Sequence, residues 1–185
     1  VDGSAEPWLK TLQQAGLRPT DTRRQAMLIT QPIEIQDGAR YARLLPPIGA
    51  HPNGLSLQMD IDFAHPAVGV QPLAINITPE TYASEIAWAR TFAFEQDVEA
   101  LQRMGLALGG SLQNAVVFGK ESALNPEGLR ATDEPVRHKA LDLLGDLALV
   151  GHPIHGHLQA HRPGHGLTHA LTQALRKATD CWRLI

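Results

Sequence analysis

At 185 residues with a formal net charge of −3, the chain can build one full-sized domain, or one domain plus a remnant of another, and has no basic surplus to neutralise a nucleic-acid backbone. Hydrophobic residues make up 43 % and charged residues 19 %, a balance that excludes a disordered chain. The longest apolar runs, such as Leu143 to Val150 interrupted by Gly145 and Asp146, fall short of a bilayer span, and the single Cys181 excludes an internal disulfide or a thiolate zinc knuckle; no transmembrane segment and a reducing, cytoplasmic setting are expected.

Asp2 and Ser4 offer N-cap chemistry ahead of Trp8, Leu9, Leu12 and Ala15 at helical spacing, and Gly16 stops the pattern. A short amphipathic helix therefore opens the chain, and the polar residues 17–24, with Pro19, read as a linker. Met27 to Ile35 and Ala39 to Leu45 flank Asp37-Gly38, the signal of a hairpin. Leu55, Leu57, Met59, Ile61 and Phe63 alternate with polar residues, the period of a strand with one buried face, and Leu73, Ile75 and Ile77 repeat it. Thr78-Pro79-Glu80 predicts a helix from about Pro79 to Arg90, and a second is expected over Glu95 to Met104. Leu106 to Phe118, with Gly109-Gly110 inside it, reads as a broken or bulged strand. Asp133 and Pro135 start a helix running to about Val150; a strand near His157 to Ala160 and a helix from Gly164 to Lys177 close the chain. Strands first and helices later predict an α+β fold, a two-layer sandwich of a mainly antiparallel sheet packed on helices, with a small β-α-β-like insert.

On the helix near residues 134–150, His138, Asp142 and Asp146 recur at every fourth position amid apolar neighbours. Such positions fall within about 80° of arc, with successive Cβ atoms roughly 5–6 Å apart, so His138 and Asp142 can reach one metal ion. A catalytic zinc site needs a third protein ligand and an open position, and the plain alternative for this pair is a solvated helix face. His152, His155, His157, His161 and His169 follow in sequence; a second metal-binding tract is the alternative, but their spacings fit no tetrahedral pattern, and they read as surface or strand histidines.

Several motifs share a further feature. Val136-Arg137-His138-Lys139-Ala140-Leu141-Asp142 with Gly145-Asp146-Leu147 resembles HKxLDxxGDL, and Gly164-His165 resembles a second C-terminal signature of the UDP-3-O-acyl-N-acetylglucosamine deacetylases. Ala89-Arg90-Thr91-Phe92-Ala93-Phe94 resembles the ARTFGF motif of that family, Leu108-Gly109-Gly110-Ser111 its LGGS, Leu124-Asn125 with Glu127-Gly128-Leu129-Arg130 its LNEDGLR, Asp62-Phe63-Ala64-His65-Pro66 its DFNHP, and Asp2-Gly3-Ser4-Ala5 its DGSA. The resemblance covers essentially the whole chain and implies a zinc-dependent amidohydrolase of lipid A synthesis.

By that resemblance His138 and Asp142 are two of three Zn2+ ligands, His165 is the imidazolium that stabilises the oxyanion or protonates the leaving amine, Asp146 pairs with it, and Thr91 donates to the oxyanion. Lys139 and Arg40 stand where relatives present cations to the UDP moiety, and Asp62 and Phe63 where they meet the uridine end. Phe92, Phe94, Asp97, Ala107, Gly110, Ser111, Ala115 and Val117 would contribute the wall and passage for the fatty acyl chain, on an insert at about 94–120. The family carries its third ligand, a histidine beside a general-base glutamate, ahead of DGSA. The resemblance therefore implies residues 1–22 as the end of a first domain and 23–185 as the second, with the missing N-terminal half as partner; a non-catalytic UDP-acyl-sugar binding module or an inactive truncation is the alternative. Gly166-Leu167-Thr168-His169 departs from the ALNN of relatives, and Ala93 replaces the glycine of ARTFGF.

Overall fold

The computed structural model describes residues 2–48 and 54–185. The Asp2 carboxylate accepts from both the amide and the hydroxyl of Ser4, at 3.1 and 2.8 Å, which turns the chain into helix α1 (Glu6–Ala15); Gly16, at φ +78°, ends it as expected. Trp8 and Leu12 are 61 % and 64 % exposed, so the apolar stripe of α1 stays largely uncovered by the described residues. Its C-terminal half, with Leu17, borders an apolar groove closed on the other side by Ile77, Pro79 and Tyr82.

A seven-stranded sheet forms the body of the molecule. Strands β2 (Ile33–Asp37) and β3 (Arg40–Leu45) make the expected hairpin, with Asp37 opposite Arg40 and Gly38 at φ +60° in the turn, where a side chain would be strained. β4 (Leu55–Phe63) and β5 (Gly69–Ile77) form a longer antiparallel pair. The organising strand is β8 (Ile154–His161), antiparallel to β3 on one side and parallel to β4 on the other, while its first residues pair with β1 (Met27–Ile29), which in turn pairs with β9 (Trp182–Leu184). Close approach is built into β8: a Cβ at Gly156 would lie 2.9 Å from both Ile29 Cγ1 and the Leu45 carbonyl.

Alternation gives this sheet one apolar face. Ala42, Leu44, Leu57, Met59, Ile61, Leu158 and Ala160 are all buried. Against them pack α4 (Glu134–Ala148) through Val136, Ala140, Leu143 and Leu147, and α5 (His165–Lys177) through Leu167, Leu171 and Leu175. The result is the two-layer α+β sandwich expected. A smaller unit, β6 (Phe92–Phe94), α3 (Glu95–Arg103) and β7 (Val116–Phe118), has its two strands parallel and is the β-α-β-like insert. No helix among the described residues is long and apolar enough to cross a membrane.

Three sequence expectations fail in informative ways. The strand predicted over Met27 to Ile35 breaks at Thr30–Pro32, where the Thr30 and Gln31 amides turn to the Cys181 carbonyl and Pro32 has no amide to give a ladder. The helix predicted from Pro79 to Arg90 is one turn, α2 (Pro79–Thr81), opened by a Thr78–Thr81 capping box and passing into a π-helical turn at Tyr82–Ile86; Ala89 and Arg90 lie outside any helix. In the predicted strand from Leu106 to Phe118 only Val116–Phe118 pairs, because Asn125 and Asn114 fold the rest into turns: Asn125 Nδ2 donates to the carbonyls of Leu112 and Ala115, and Asn114 Nδ2 to that of Gly109. β9 carried no alternation long enough to be anticipated.

Candidate active site

The polar stripe of α4 survives folding as one connected site. His138 lies at its deep end, with Nδ1 3.0 Å from the Ala89 carbonyl oxygen; a carbonyl only accepts, so Nδ1 carries the proton. Its Nε2 then faces Asp142 Oδ1 at 3.4 Å, a lone pair set against a carboxylate oxygen. That juxtaposition is favourable only with a positive charge between them, which a second ring proton or a metal cation supplies. Asp142 Oδ2 meets Lys139 Nζ at 2.8 Å. Burial alone would raise the Asp142 carboxyl; the hydrogen bonds and charges of His138 and Lys139 overcome it and hold it down at about 2.

One turn further along, Asp146 is buried but fully engaged. Its Oδ2 accepts from His165 Nδ1 at 2.9 Å and from the Thr168 hydroxyl, and its Oδ1 lies 3.2 Å from His169 Nε2. The carboxylate accepts at His165 Nδ1, so the other nitrogen, Nε2, on a side chain 60 % exposed, is turned outward and lies 4.0 Å from Asp142 Oδ2. Gly164, extended at the N-cap of α5, brings His165 to this position. Lys139, Asp142, Asp146, Pro163, Gly164, His165 and Thr168 border a shared crevice.

Two donor groups are thus candidates for a cation. Asp146, His165 and His169 place their ligand atoms within 4.8 Å of one another. Asp146 Oδ2 already accepts from two donors and Oδ1 lies against His169 Nε2, whereas His138, with its proton committed to Nδ1, and Asp142 present an unresolved pair of acceptors. The second arrangement is the better match to a metal, which replaces no existing bond there.

The other sequence-predicted residues are dispersed. Phe63, Phe92 and Phe94 form one aromatic cluster with Phe118 and His65, and Lys139 Nζ sits 5.9 Å above the Phe92 ring, so this cluster adjoins the crevice. The cluster also borders a cleft of about 440 Å³, lined by His65, Phe94, Gln96, Phe118 and Lys120 among others. Asp62 lies 3.7 Å from Arg162 Nη1, just before the turn that leads to His165. Arg40 is exposed and paired with Asp37 across the β2–β3 turn, and is not among the residues that border the crevice. Thr91 is held by its main chain, its amide donating to the Gly3 carbonyl at 2.9 Å and its carbonyl accepting from Val116 at 2.7 Å. Asp97 is exposed on the first turn of α3; Ala107, at φ +52°, Gly110 and Ser111 lie exposed beyond that helix, and Ala115 and Val117 are half-buried.

His169 is exposed, as its reading among the surface histidines has it, but the sequence reading did not anticipate its link to the site. It is one turn from His165 on α5 and shares Asp146 with it. The i, i+4 spacing of His165 and His169 was the available signal. His155, His157 and His161 do lie on a strand, on the face of β8 away from the helices, where Ser56 meets His157 at 2.8 Å and Asp60 meets His161 at 2.7 Å.

The family model for UDP-3-O-acyl N-acetylglycosamine deacetylase matches residues 1–177. A relative from Syntrophotalea carbinolica, named UDP-3-O-acyl-N-acetylglucosamine deacetylase, is 44 % identical over the whole chain, which spans 58 % of that relative's length. Relatives of the same name from Acidithiobacillus ferrooxidans and Solibacter usitatus are 43 % and 47 % identical over 100 % and 89 % of the chain, corresponding to 60 % and 54 % of their own lengths. With its α+β sandwich and its His/Asp site on one helix, the chain belongs to the UDP-3-O-acyl N-acetylglycosamine deacetylase family.

Proposed function

We propose that this chain forms the zinc-binding and acid-catalytic side of a deacetylase acting on UDP-3-O-acyl-N-acetylglucosamine in lipid A synthesis, in the cytoplasm. The observation that carries the reading is the His138–Asp142 pair: the Ala89 carbonyl fixes the imidazole tautomer and aims Nε2 at a carboxylate oxygen 3.4 Å away. His138 and Asp142 would hold Zn2+, with the third protein ligand and a general base supplied by the part of the relatives' length that this chain does not span. Bound there, zinc would polarise the acetyl carbonyl and acidify a water molecule.

The chain's own residues then have distinct tasks. Asp146 holds His165 by Nδ1 and leaves Nε2 turned outward beside Asp142, where a proton at Nε2 can be given to the amine as the amide C–N bond breaks and acetate forms. Thr168 and His169 fix the Asp146 carboxylate. Thr91 is assigned as a donor to the developing oxyanion. Lys139 is the cation beside the crevice for the diphosphate, with Arg40 further out; Asp62 and Phe63 are assigned to the uridine end, and Phe92 and Phe94, clustered with Phe63, provide the aromatic wall towards the acyl chain. Asp97, Ala107, Gly110, Ser111, Ala115 and Val117 remain assigned to the acyl chain.

The test is acetate release from UDP-3-O-acyl-N-acetylglucosamine by the protein as its gene encodes it. His165→Ala is expected to lower kcat by about 10²–10⁴. Asp142→Ala is expected to remove stoichiometric zinc. Full turnover by the first variant would overturn the role of His165, and unchanged zinc content in the second would overturn the ligand assignment.

A further inference from the structure

We propose that Glu134 is a positioning residue for His138 and acts through the peptide bond between Ala89 and Arg90. The two ends of this one peptide unit are both taken: its N–H donates to Glu134 Oε1 at 3.0 Å, and its C=O accepts from His138 Nδ1 at 3.0 Å. Glu134 and His138 stand one turn apart on α4, so a single helix grips the peptide from both sides.

The peptide bond is conjugated, and an anionic acceptor on its N–H increases electron density at its oxygen. The oxygen then binds the imidazole N–H more strongly and commits the ring to one tautomer. Burial makes this effective: Ala89 is fully buried, Arg90 and Glu134 are 4 % and 1 % exposed, and His138 is buried beside them, so water does not compete for either end. The carboxylate itself is immobilised. Arg90 Nε and Nη2 reach it at 2.9 and 3.1 Å, and the Arg130 amide donates to Oε2 at 2.7 Å. Histidines that hold a metal commonly owe their orientation to a carboxylate or carbonyl on the other nitrogen; here the two are in series, which keeps the carboxylate clear of the cation site.

This inference rests on the proposed function for its bearing on zinc, but the hydrogen-bond lock can be read without metal or turnover. In metal-free protein at a pH of about 8, above the ordinary range of imidazole titration, nitrogen-15 NMR of the histidine side chains should show His138 with its proton on Nδ1 and that proton protected from exchange. E134Q keeps the shape and removes the charge. It is expected to expose the Nδ1 proton to faster exchange, to populate the other tautomer, and to weaken zinc binding in a chelator competition about tenfold. A folded E134Q with an unchanged Nδ1 proton and unchanged zinc affinity overturns the proposal. If E134Q does not fold, E134D and R90K decide: E134D retains the ion pair while withdrawing the acceptor from the peptide and should loosen the lock, and R90K retains the peptide N–H and should keep it. The reverse pattern assigns the lock to packing and overturns the proposal. A locked His138 in a protein that releases no acetate would instead sink the proposed function and leave this inference standing.

Discussion

The two ends of α4 use the same kinds of residues to opposite ends. At its first turn, Glu134, Arg90, Glu127 and the Arg130 amide form a closed set: Arg90 spends its guanidinium on Glu134, Glu127 and the Gly128 carbonyl, and Glu134 spends both oxygens on N–H donors. One and two turns later, His138 and Asp142 set acceptor against acceptor, and His165 Nε2 is left open. A closed polar set buried in a core fixes geometry, whereas an open one can accept a ligand or a proton. Charge by itself does not mark an active site; unfinished pairing does.

The comparison breaks first at Arg90. Arg90→Met leaves the Glu134 carboxylate buried without its partner, a change expected to cost about 3–5 kcal/mol of stability in denaturant unfolding. A loss below about 1 kcal/mol would show that the closed set is not structural. Next is Gly3→Ala, where φ is +85° and a Cβ would lie 2.2 Å from the Asn114 carbonyl oxygen. The segment Asp2–Ala5 is docked through that contact and through the Ala5 amide on the Ala87 carbonyl, so a loss of about 2 kcal/mol or more is expected, read as a lowered Tm. Acid sharpens the same contrast. For Asp2, burial would raise the carboxyl, but Arg130 and Ser4 bring it down to about 2; for Glu134, burial likewise opposes, and Arg90 with the Arg130 amide bring it below the usual range. Groups depressed in the folded state stabilise it fully above their unfolded values and lose that contribution as pH falls through their folded values. Tm should therefore hold above about pH 4 and decline towards pH 2, and Asp2→Asn should flatten part of that decline.

The sheet was legible because its signals are local. The alternation from Leu55 to Phe63 predicts the face that is found buried, and Asp37-Gly38 predicts the turn that is found. Less was legible where long-range bonds decide. Ala89 and Arg90 have helical propensity and a capped helix upstream, yet leave the helix because His138 and Glu134 claim the peptide between them. Residues 106–115 carry apolar residues at strand-like density, but Asn114 and Asn125 are worth more to turns than the ladder would be. In the site, the stripe of His138, Asp142 and Asp146 followed from spacing, and His165 from resemblance. The link of His169 to Asp146 was not legible because the two lie 23 residues apart in the chain, so it appears only when α5 packs on α4.

His169 also gives the mildest and most discriminating prediction. Its side chain is about half exposed, so its contact with Asp146 should add less than about 1 kcal/mol to stability. Asp146 keeps the Thr168 hydroxyl and His165 when His169 is replaced, and Asn at 169 can still donate a hydrogen bond. His169→Asn should therefore leave Tm nearly unchanged and lower kcat for acetate release by only a few-fold, with KM held. A loss as large as that expected for His165→Ala would mean that the two imidazoles act as one unit, because removing either member of such a unit costs as much as removing both. In that case the open cluster would include Asp146 as a second centre rather than as the support of His165, and the double variant, no slower than either single one, would show it.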